Sequence, residues 1–380
     1  MRIMTLLIRA SEKRNERIIL TTMKTNRIIA AFAACICAVS AFSCTKKNDE
    51  SSKKQEAATT AVQTEAVAET TTEETVTENE TQEADDDGKD ISDYVTVKKT
   101  TPAMYKVTDP ETGNELYMLG TMHMVLEDTF PMPSYIMDVY NNCDGIAVEL
   151  DINSIMSDMQ QLQDFYGKLV YTDGTTVKDH LSEETYEKMK EYLTKYNAYN
   201  PMLESYVAGF WANQVESVSI LSTGDLDTEG VDSKFITMAN EDGKKVVNIE
   251  TVDIQSRLFL GGSDELFDYK IADILNKTED SEAYTKEFAE FYDNWASGDI
   301  DKLDEEDDED DVPEDLKDDY EEYMDAILYD RNDGMAAKAE EFLKNGDNYF
   351  FMVGAAHFAG DKGVDDILKE KGYTVERVAA

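Results

Sequence analysis

Tyr117-Met118-Leu119-Gly120-Thr121-Met122-His123 has a counterpart far down the chain, Phe351-Met352-Val353-Gly354-Ala355-Ala356-His357. Each is an apolar run of strand character, then a glycine, two small or apolar residues and a histidine. The glycine allows a sharp turn at the strand end, and a histidine three positions on can point back over it. Two further runs, Gly145-Ile146-Ala147-Val148-Glu149-Leu150 and Lys245-Val246-Val247-Asn248-Ile249-Glu250, read as strands closing on a carboxylate. In open α/β sheets, ligands sit outside the carboxyl ends of the strands. If these four strands are parallel neighbours, His123, His357, Glu149 and Glu250 converge. Two imidazoles and a carboxylate form a normal ligand set for zinc, manganese, cobalt or iron. The chain holds only 3 His, and two of them share this setting. A lone histidine is more often a core or surface residue, and His180, in a polar stretch, is read that way.

Around the motifs, strand and helix signals alternate from residue 96 to 380. Met104–Thr108 and Glu115–Thr121 read as strands. The Asp109-Pro110-Glu111-Thr112-Gly113-Asn114 stretch between them is turn chemistry and predicts a hairpin. Helices are predicted over 134–142, 153–168, 182–196 and 203–221. Another follows Gly230-Val231-Asp232, and helical segments fill 252–345. The last strands are 349–354 and 374–378, with a helix between them. The fold class is therefore α/β (α+β): a central mixed β-sheet flanked by helices, with a long helical insertion. No internal repeat of solenoid period is present.

Other residues are candidates for the same site. Arg331 and Asn332 follow an aromatic segment, Tyr323 to Tyr329. An arginine near a metal can bind a substrate carboxylate or a developing oxyanion, although a surface salt bridge suits Arg331 as well. Asn332 is a candidate for substrate contact. So is Gln255, about one turn after Glu250, where core-edge packing fits equally. Asp232 reads as a helix cap. In the catalytic reading, His123 and His357 hold a divalent metal (manganese, cobalt or zinc) and Glu149 is a third ligand or the base. Glu250 is the other candidate base, and the residues alone do not assign the two roles. Other hydrolytic designs fit worse. The chain has no G-x-S-x-G elbow, no H-E-x-x-H helix, no P-loop and no G-x-G-x-x-G. Cys143 has no histidine linked to it by sequence.

The pieces LGTMH, AVELD, GVDSKF, GKKVVNIET, YDRNDGMA and VGAAHFAGDKGVDDILKEKGYTVERV occur in that order. Together they resemble the TraB/GumN family, which includes the Tiki metalloproteases, over about residues 100–380. The resemblance implies an α/β fold like that of erythromycin esterase and ChaN-type haem-binding proteins. It also implies the metal-dependent peptidase activity of the Tiki branch, with His123, His357 and Glu149 in the active site. Two functions of different class follow. One is a metallopeptidase acting on peptides or exported proteins. The other is a non-catalytic protein that binds a peptide pheromone, a metal or haem in the same cleft. An esterase acting on a small antibiotic-like molecule is a third, weaker reading.

Outside the folded body the chain changes character. Residues 45–95 are rich in Thr, Glu, Ala and Gln with few aliphatics, which predicts a disordered, self-repelling linker. Before it, residues 23–44 read as an export signal: Lys24 and Arg27, a short apolar run from Ile28 to Val39, then Ala41-Phe42-Ser43-Cys44. Its end resembles the lipobox of bacterial lipoproteins, although Ala41 stands where leucine is usual and Phe42 is bulky. Lipidation of Cys44 is expected. It would place the domain on the outer face of a bacterial cell membrane, with plain secretion as the alternative. Met23 makes a better start than Met1, since the first 22 residues carry scattered basic side chains. The formal charge of −45 argues against nucleic acid as a partner, because phosphate binding needs clustered Lys and Arg. The acidic run at 301–322 lacks the glycine and spacing of a calcium loop and reads as a solvated face.

Overall fold

The computed structural model describes residues 89–305, 312–360 and 362–379. The export signal, Cys44, the linker up to residue 88 and residues 306–311 of the acidic run lie outside the described residues. The hairpin forms as expected. The Asp109 carboxylate accepts hydrogen bonds from Glu111 N and Thr112 Oγ1, both at 2.8 Å. Gly113 completes the turn at a φ of +77°, where a side chain would be strained. Strand β1 (Met104–Thr108) then runs antiparallel to β2 (Glu115–Thr121), with Met104 opposite Leu119.

Two very short strands follow in the chain's order, β3 (Val125–Leu126) and, later, β5 (Leu226–Asp227), which pair with each other. The remaining strands are β4 (Gly145–Val148), β6 (Lys245–Asn248), β7 (Tyr349–Gly354) and β8 (Thr374–Arg377). The main sheet is six-stranded and mixed, in the order β6-β4-β7-β2-β1-β8. Strands β6, β4, β7 and β2 are parallel neighbours, and β1 and β8 are antiparallel at one edge. Thr121 lies opposite Gly354, and Val148 lies opposite both Met352 and Asn248. The carboxyl ends of all four parallel strands therefore share one edge. The two inner strands of the parallel part, β4 and β7, are almost wholly apolar and buried, as strands covered on both faces must be.

The helices that matter for the site are α1 (Ser134–Asn142), α2 (Ala208–Leu221), α3 (Val231–Glu241), α4 (Asp264–Lys277), α5 (Ser281–Ser297), α6 (Asp330–Asn345) and α7 (Val364–Glu370). One apolar core lies on the sheet, around Ile146, Phe235, Trp295, Phe350 and Phe351. A second fills the helical insertion, around Trp211, Leu258, Phe267 and Tyr323. Helix α2 is buried nearly all round, which suits a helix with no polar face to turn to water.

Several boundaries differ from expectation, each for a local reason. The segment 153–168 is two helices, Ile152–Ser157 and Met159–Lys168. The Asp158 side chain accepts from Gln160 N and Gln161 N and so starts a new helix. In place of a helix from residue 203, a short turn at Pro201–Leu203 comes first and α2 begins only at Ala208. Strand β6 ends at Asn248, so Glu250 lies just past it. Packing also starts earlier than residue 96. Ile91 is fully buried, its N–H donates to Thr223 O at 2.8 Å, and with Tyr94 and Val95 packed on the same core it anchors residues 89–95 to the domain.

Candidate active site

The parallel register brings the strand-end residues together, and Arg331, Asn332 and Gln255 join them from helices. Glu149 follows β4 and Glu250 follows β6, and Glu250 N donates to Glu149 O at 2.9 Å. Both side chains are buried. Between them stands Arg331, on the first turn of α6. Its Nη2 donates to Glu149 Oε2 (2.6 Å) and Glu250 Oε2 (2.9 Å), its Nε to Glu250 Oε1 (2.8 Å), and its Nη1 to Ile327 O (2.9 Å). Ile327 belongs to a five-residue π-helical turn, Asp325–Tyr329, inserted just before α6. Such turns recur at functional sites, and this one turns a carbonyl toward the guanidinium. Gln255 Nε2 donates to Glu149 Oε2 (3.1 Å) and Glu250 Oε2 (2.5 Å). One guanidinium and one amide thus tie two carboxylates into a single buried network.

The two histidines approach the same carboxylate. His357 Nε2 is 3.7 Å from Glu149 Oε1, which also accepts from Gly354 N at 2.6 Å. On its other side, His357 Nδ1 meets Asn332 Oδ1 at 2.5 Å, while Asn332 Nδ2 donates to Lys362 O at 2.9 Å. The asparagine oxygen is therefore the acceptor, His357 Nδ1 carries the proton, and the lone pair lies on Nε2. His123 Nδ1 meets Asp232 Oδ1 at 3.1 Å, so its Nε2 likewise faces away from its partner. Both Nε2 atoms are buried and without a hydrogen-bond partner.

Gly354 explains how these groups fit together. A Cβ there would lie 3.3 Å from Glu149 Oε1, 3.7 Å from His357 Cδ2 and 3.9 Å from His123 Nε2. The glycine was expected to supply a turn. Its φ of −50° is open to any residue, so what its missing side chain supplies is room. Gly120 behaves in the same way, since a Cβ there would lie 3.2 Å from Ala355 Cα. The Gly120 carbonyl accepts from the Trp295 indole at 3.1 Å, which fixes the first motif against α5. Gly230 lets its loop lie on His123, where a Cβ would be 2.5 Å from His123 Cα. That contact delivers Asp232, in the first turn of α3, to the imidazole. Asp232 therefore orients His123 instead of capping the helix, whose N-cap is Gly230.

The electrostatics follow from this wiring. Burial opposes the Glu149 charge, but Arg331, then the two histidines, hold its carboxyl down at about 2. Burial raises Glu250 above the ordinary carboxylate value, and Arg331 only partly offsets it. Burial and the Arg331 charge push His357 down to about 3, so it is a neutral imidazole. Burial lowers His123 too, but the Asp232 carboxylate outweighs it and the net shift is upward.

The donor set fits a divalent cation: two imidazole lone pairs, an ionised carboxylate oxygen beside them, and one carboxylate charge more than Arg331 cancels. Among the described residues, no three His, Cys, Asp or Glu side chains already close around a common point. Glu149 is held by Gly354 and Arg331 beside the imidazoles, not against them. The third histidine is elsewhere. His180 meets Asp264 and Thr175, each at 2.6 Å, and stacks on Tyr171. Cys143 is buried at the end of α1, its Sγ donating to Tyr140 O at 3.0 Å, and burial raises its thiol.

The sequence pattern of the TraB/PrgY/gumN family matches residues 103–377. Short stretches are similar to metalloproteases of animals. The chain is 42% identical over 52 residues to metalloprotease TIKI2 of Danio rerio, covering 13% of this chain and 10% of that one. It is 37% identical over 60 residues to metalloprotease TIKI2 of Xenopus tropicalis, 15% and 12% of the two chains. It is 38% identical over 55 residues to a metalloprotease TIKI homolog of Amphimedon queenslandica, 14% and 11% of the two chains. The matched stretches thus span only about a tenth of those relatives. No solved structure matches the chain. With a family match running from the first strand of the sheet to the last, over all four motif strands and every residue of the site, the chain belongs to the TraB/PrgY/gumN family.

Proposed function

We propose that this protein is a metal-dependent peptidase that hydrolyses peptide bonds in peptides or exported proteins. We further propose that it works at the outer face of a bacterial cell membrane, held there by lipid on Cys44. The observation that carries the catalytic reading is the pair of buried Nε2 atoms on His123 and His357. Both lack a partner in the protein, and both stand around Gly354 beside the ionised Glu149. Relatives named metalloproteases support the same chemistry.

His123 and His357 would hold the cation, with Glu149 beside them. A divalent cation bound there lowers the pKa of a water and polarises a carbonyl. Asp232 and Asn332 keep the proton of each imidazole on Nδ1, so that both Nε2 atoms stay available. Glu149 is the carboxylate that faces the reacting atoms, as third ligand or as acceptor of the water proton. Glu250 has both oxygens on Arg331 and Gln255 and acts through them as a positioning residue. Arg331 likewise positions Glu149 and Glu250.

The test is calorimetric titration of the purified chain with manganese, cobalt and zinc, beside His123→Ala and His357→Ala, followed by peptide cleavage. Binding lost in both variants, together with cleavage that stops on chelation, is expected. Binding that neither variant alters sinks the metal site. Peptide bound in fixed stoichiometry without product replaces the peptidase by a binding protein that uses the same cleft.

A further inference from the structure

A hydrolytic site needs a donor for the oxygen that becomes negative as the carbonyl is attacked. Arg331 is the obvious cation by sequence, yet its donors reach Glu149, Glu250 and the Ile327 carbonyl. Another group stands at the same sheet edge. Thr121 is the last residue of β2 and lies directly opposite Gly354 of β7. Residues opposite one another in a parallel pair point to the same face, about 4.8 Å apart. The face of Gly354 is known, because a Cβ there would point at Glu149 Oε1, His357 and His123 Nε2. The Thr121 side chain therefore stands on the site face. It is 3% exposed, and its hydroxyl is buried with no hydrogen-bond partner. A hydroxyl so enclosed is expected to have one.

The geometry points to Thr121 Oγ1 as the hydrogen-bond donor to the carbonyl oxygen of the substrate, strongest when that oxygen carries negative charge. This rests on the peptidase reading above. Threonine suits the task. It is stiff at χ1, it sits on a strand at the centre of the sheet, and its neutral donor adds no charge to a site already wired around Arg331. Gly354 puts no side chain on the face that Thr121 shares with the imidazoles.

The experiment compares the parent, Thr121→Val and Thr121→Ser in the full chain, loaded with the activating metal. It measures kcat and KM on one cleaved peptide and metal affinity by calorimetry. Thr121→Val keeps the shape and removes only the hydroxyl. Its kcat is expected to fall about 100- to 1,000-fold, as when other oxyanion donors are removed, with KM and metal affinity unchanged. Thr121→Ser restores kcat to within about tenfold of the parent. A Thr121→Val enzyme at parental kcat overturns the proposal while leaving the peptidase reading intact. Loss of metal binding in Thr121→Val overturns it too, because the hydroxyl would then serve the metal site. A parent that binds metal but turns over no peptide overturns both readings together.

Discussion

Arg331 shows what single residues do here and how far sequence reveals it. Its place before the second histidine motif marked it as a site residue, but its partners lie 81 and 182 positions away, and only the parallel register brings them near. Its side chain is 1% exposed and those of Glu149 and Glu250 are 5% and 3% exposed. Arg331→Met would leave two buried carboxylates without a cation, which is expected to cost about 3–5 kcal/mol. Urea unfolding measures this, and a loss no larger than that of a surface change, about 0.5 kcal/mol, would contradict it. Arg331→Lys should not rescue, since an ammonium cannot span both carboxylates in the guanidinium's fork. Acid tests the same network in the metal-free protein. Glu149 lies at about 2 against an ordinary 4.5. A depressed carboxylate contributes stability that is full above its unfolded value and is lost as pH falls toward the folded one. Unfolding free energy should therefore drop between roughly pH 4.5 and 2 on this account. The depressed His357 contributes its own fall from about 6.5 to 3, so Glu149→Gln should flatten only the lower part of the slope. The Glu250 shift has the opposite sign, so it weakens the fold above its ordinary value and does not mask the acid limb. Asp232 and Thr121 carried sequence signals that pointed elsewhere. An aspartate at a helix start reads as a cap, and a strand threonine reads as β propensity, until register shows what each one faces.

At the scale of elements, the strands were legible because their signals are local. Apolar runs, a loop of turn residues and glycine punctuation place β1, β2, β4 and β7 to within a residue or two. Features set by a neighbour were not legible. Two-residue strands such as β3 and β5 have no period, and a π-helical turn leaves no composition mark. The role of a helical glycine is another case, and it yields a paired prediction. Gly167 and Gly209 both lie inside helices. Gly167 is exposed, and a Cβ there would meet nothing within 4 Å. Gly167→Ala should stabilise by about 0.5–1 kcal/mol, by removing backbone freedom from the unfolded chain. Gly209 is buried in α2, and a Cβ there would lie 2.3 Å from Phe259 O and 2.7 Å from the Phe267 ring. The backbone carbonyl cannot yield as a side chain would, so α2 must move off its neighbours. Gly209→Ala should destabilise by about 1–3 kcal/mol or more. Thermal unfolding of the two variants settles it. Shifts of the same sign would mean that α2 is not held as closely as these distances require.

At the scale of the molecule, charge is the dominant fact, and composition alone revealed it. The chain carries 81 acidic residues against 36 basic ones. Most ion pairs among the described residues are exposed lysine–carboxylate contacts, many of them three or four residues apart on one helix. Each such pair contributes about 0–1 kcal/mol, and salt weakens it. The carboxylates left over repel one another over longer distances, and that repulsion acts against the compact state. Salt therefore weakens a small attraction and a larger repulsion together. Between about 0.01 and 0.1 M salt the screening length falls from roughly 30 to 10 Å, shorter than most separations across the domain but longer than a contact pair. The repulsion should be lost first. Sodium chloride added over this range should raise the melting temperature, and the gain should level off once the screening length nears that of a single pair. The buried Glu149–Arg331–Glu250 network should hardly respond, because screening by solvent ions barely reaches it. Arg331→Met should thus show the same salt dependence as the parent on a lower baseline. A melting temperature that falls as salt is added would mean that the surface pairs outweigh the net charge. The excess carboxylates, most of which fall within residues 96–380, would then be spaced too widely to repel appreciably.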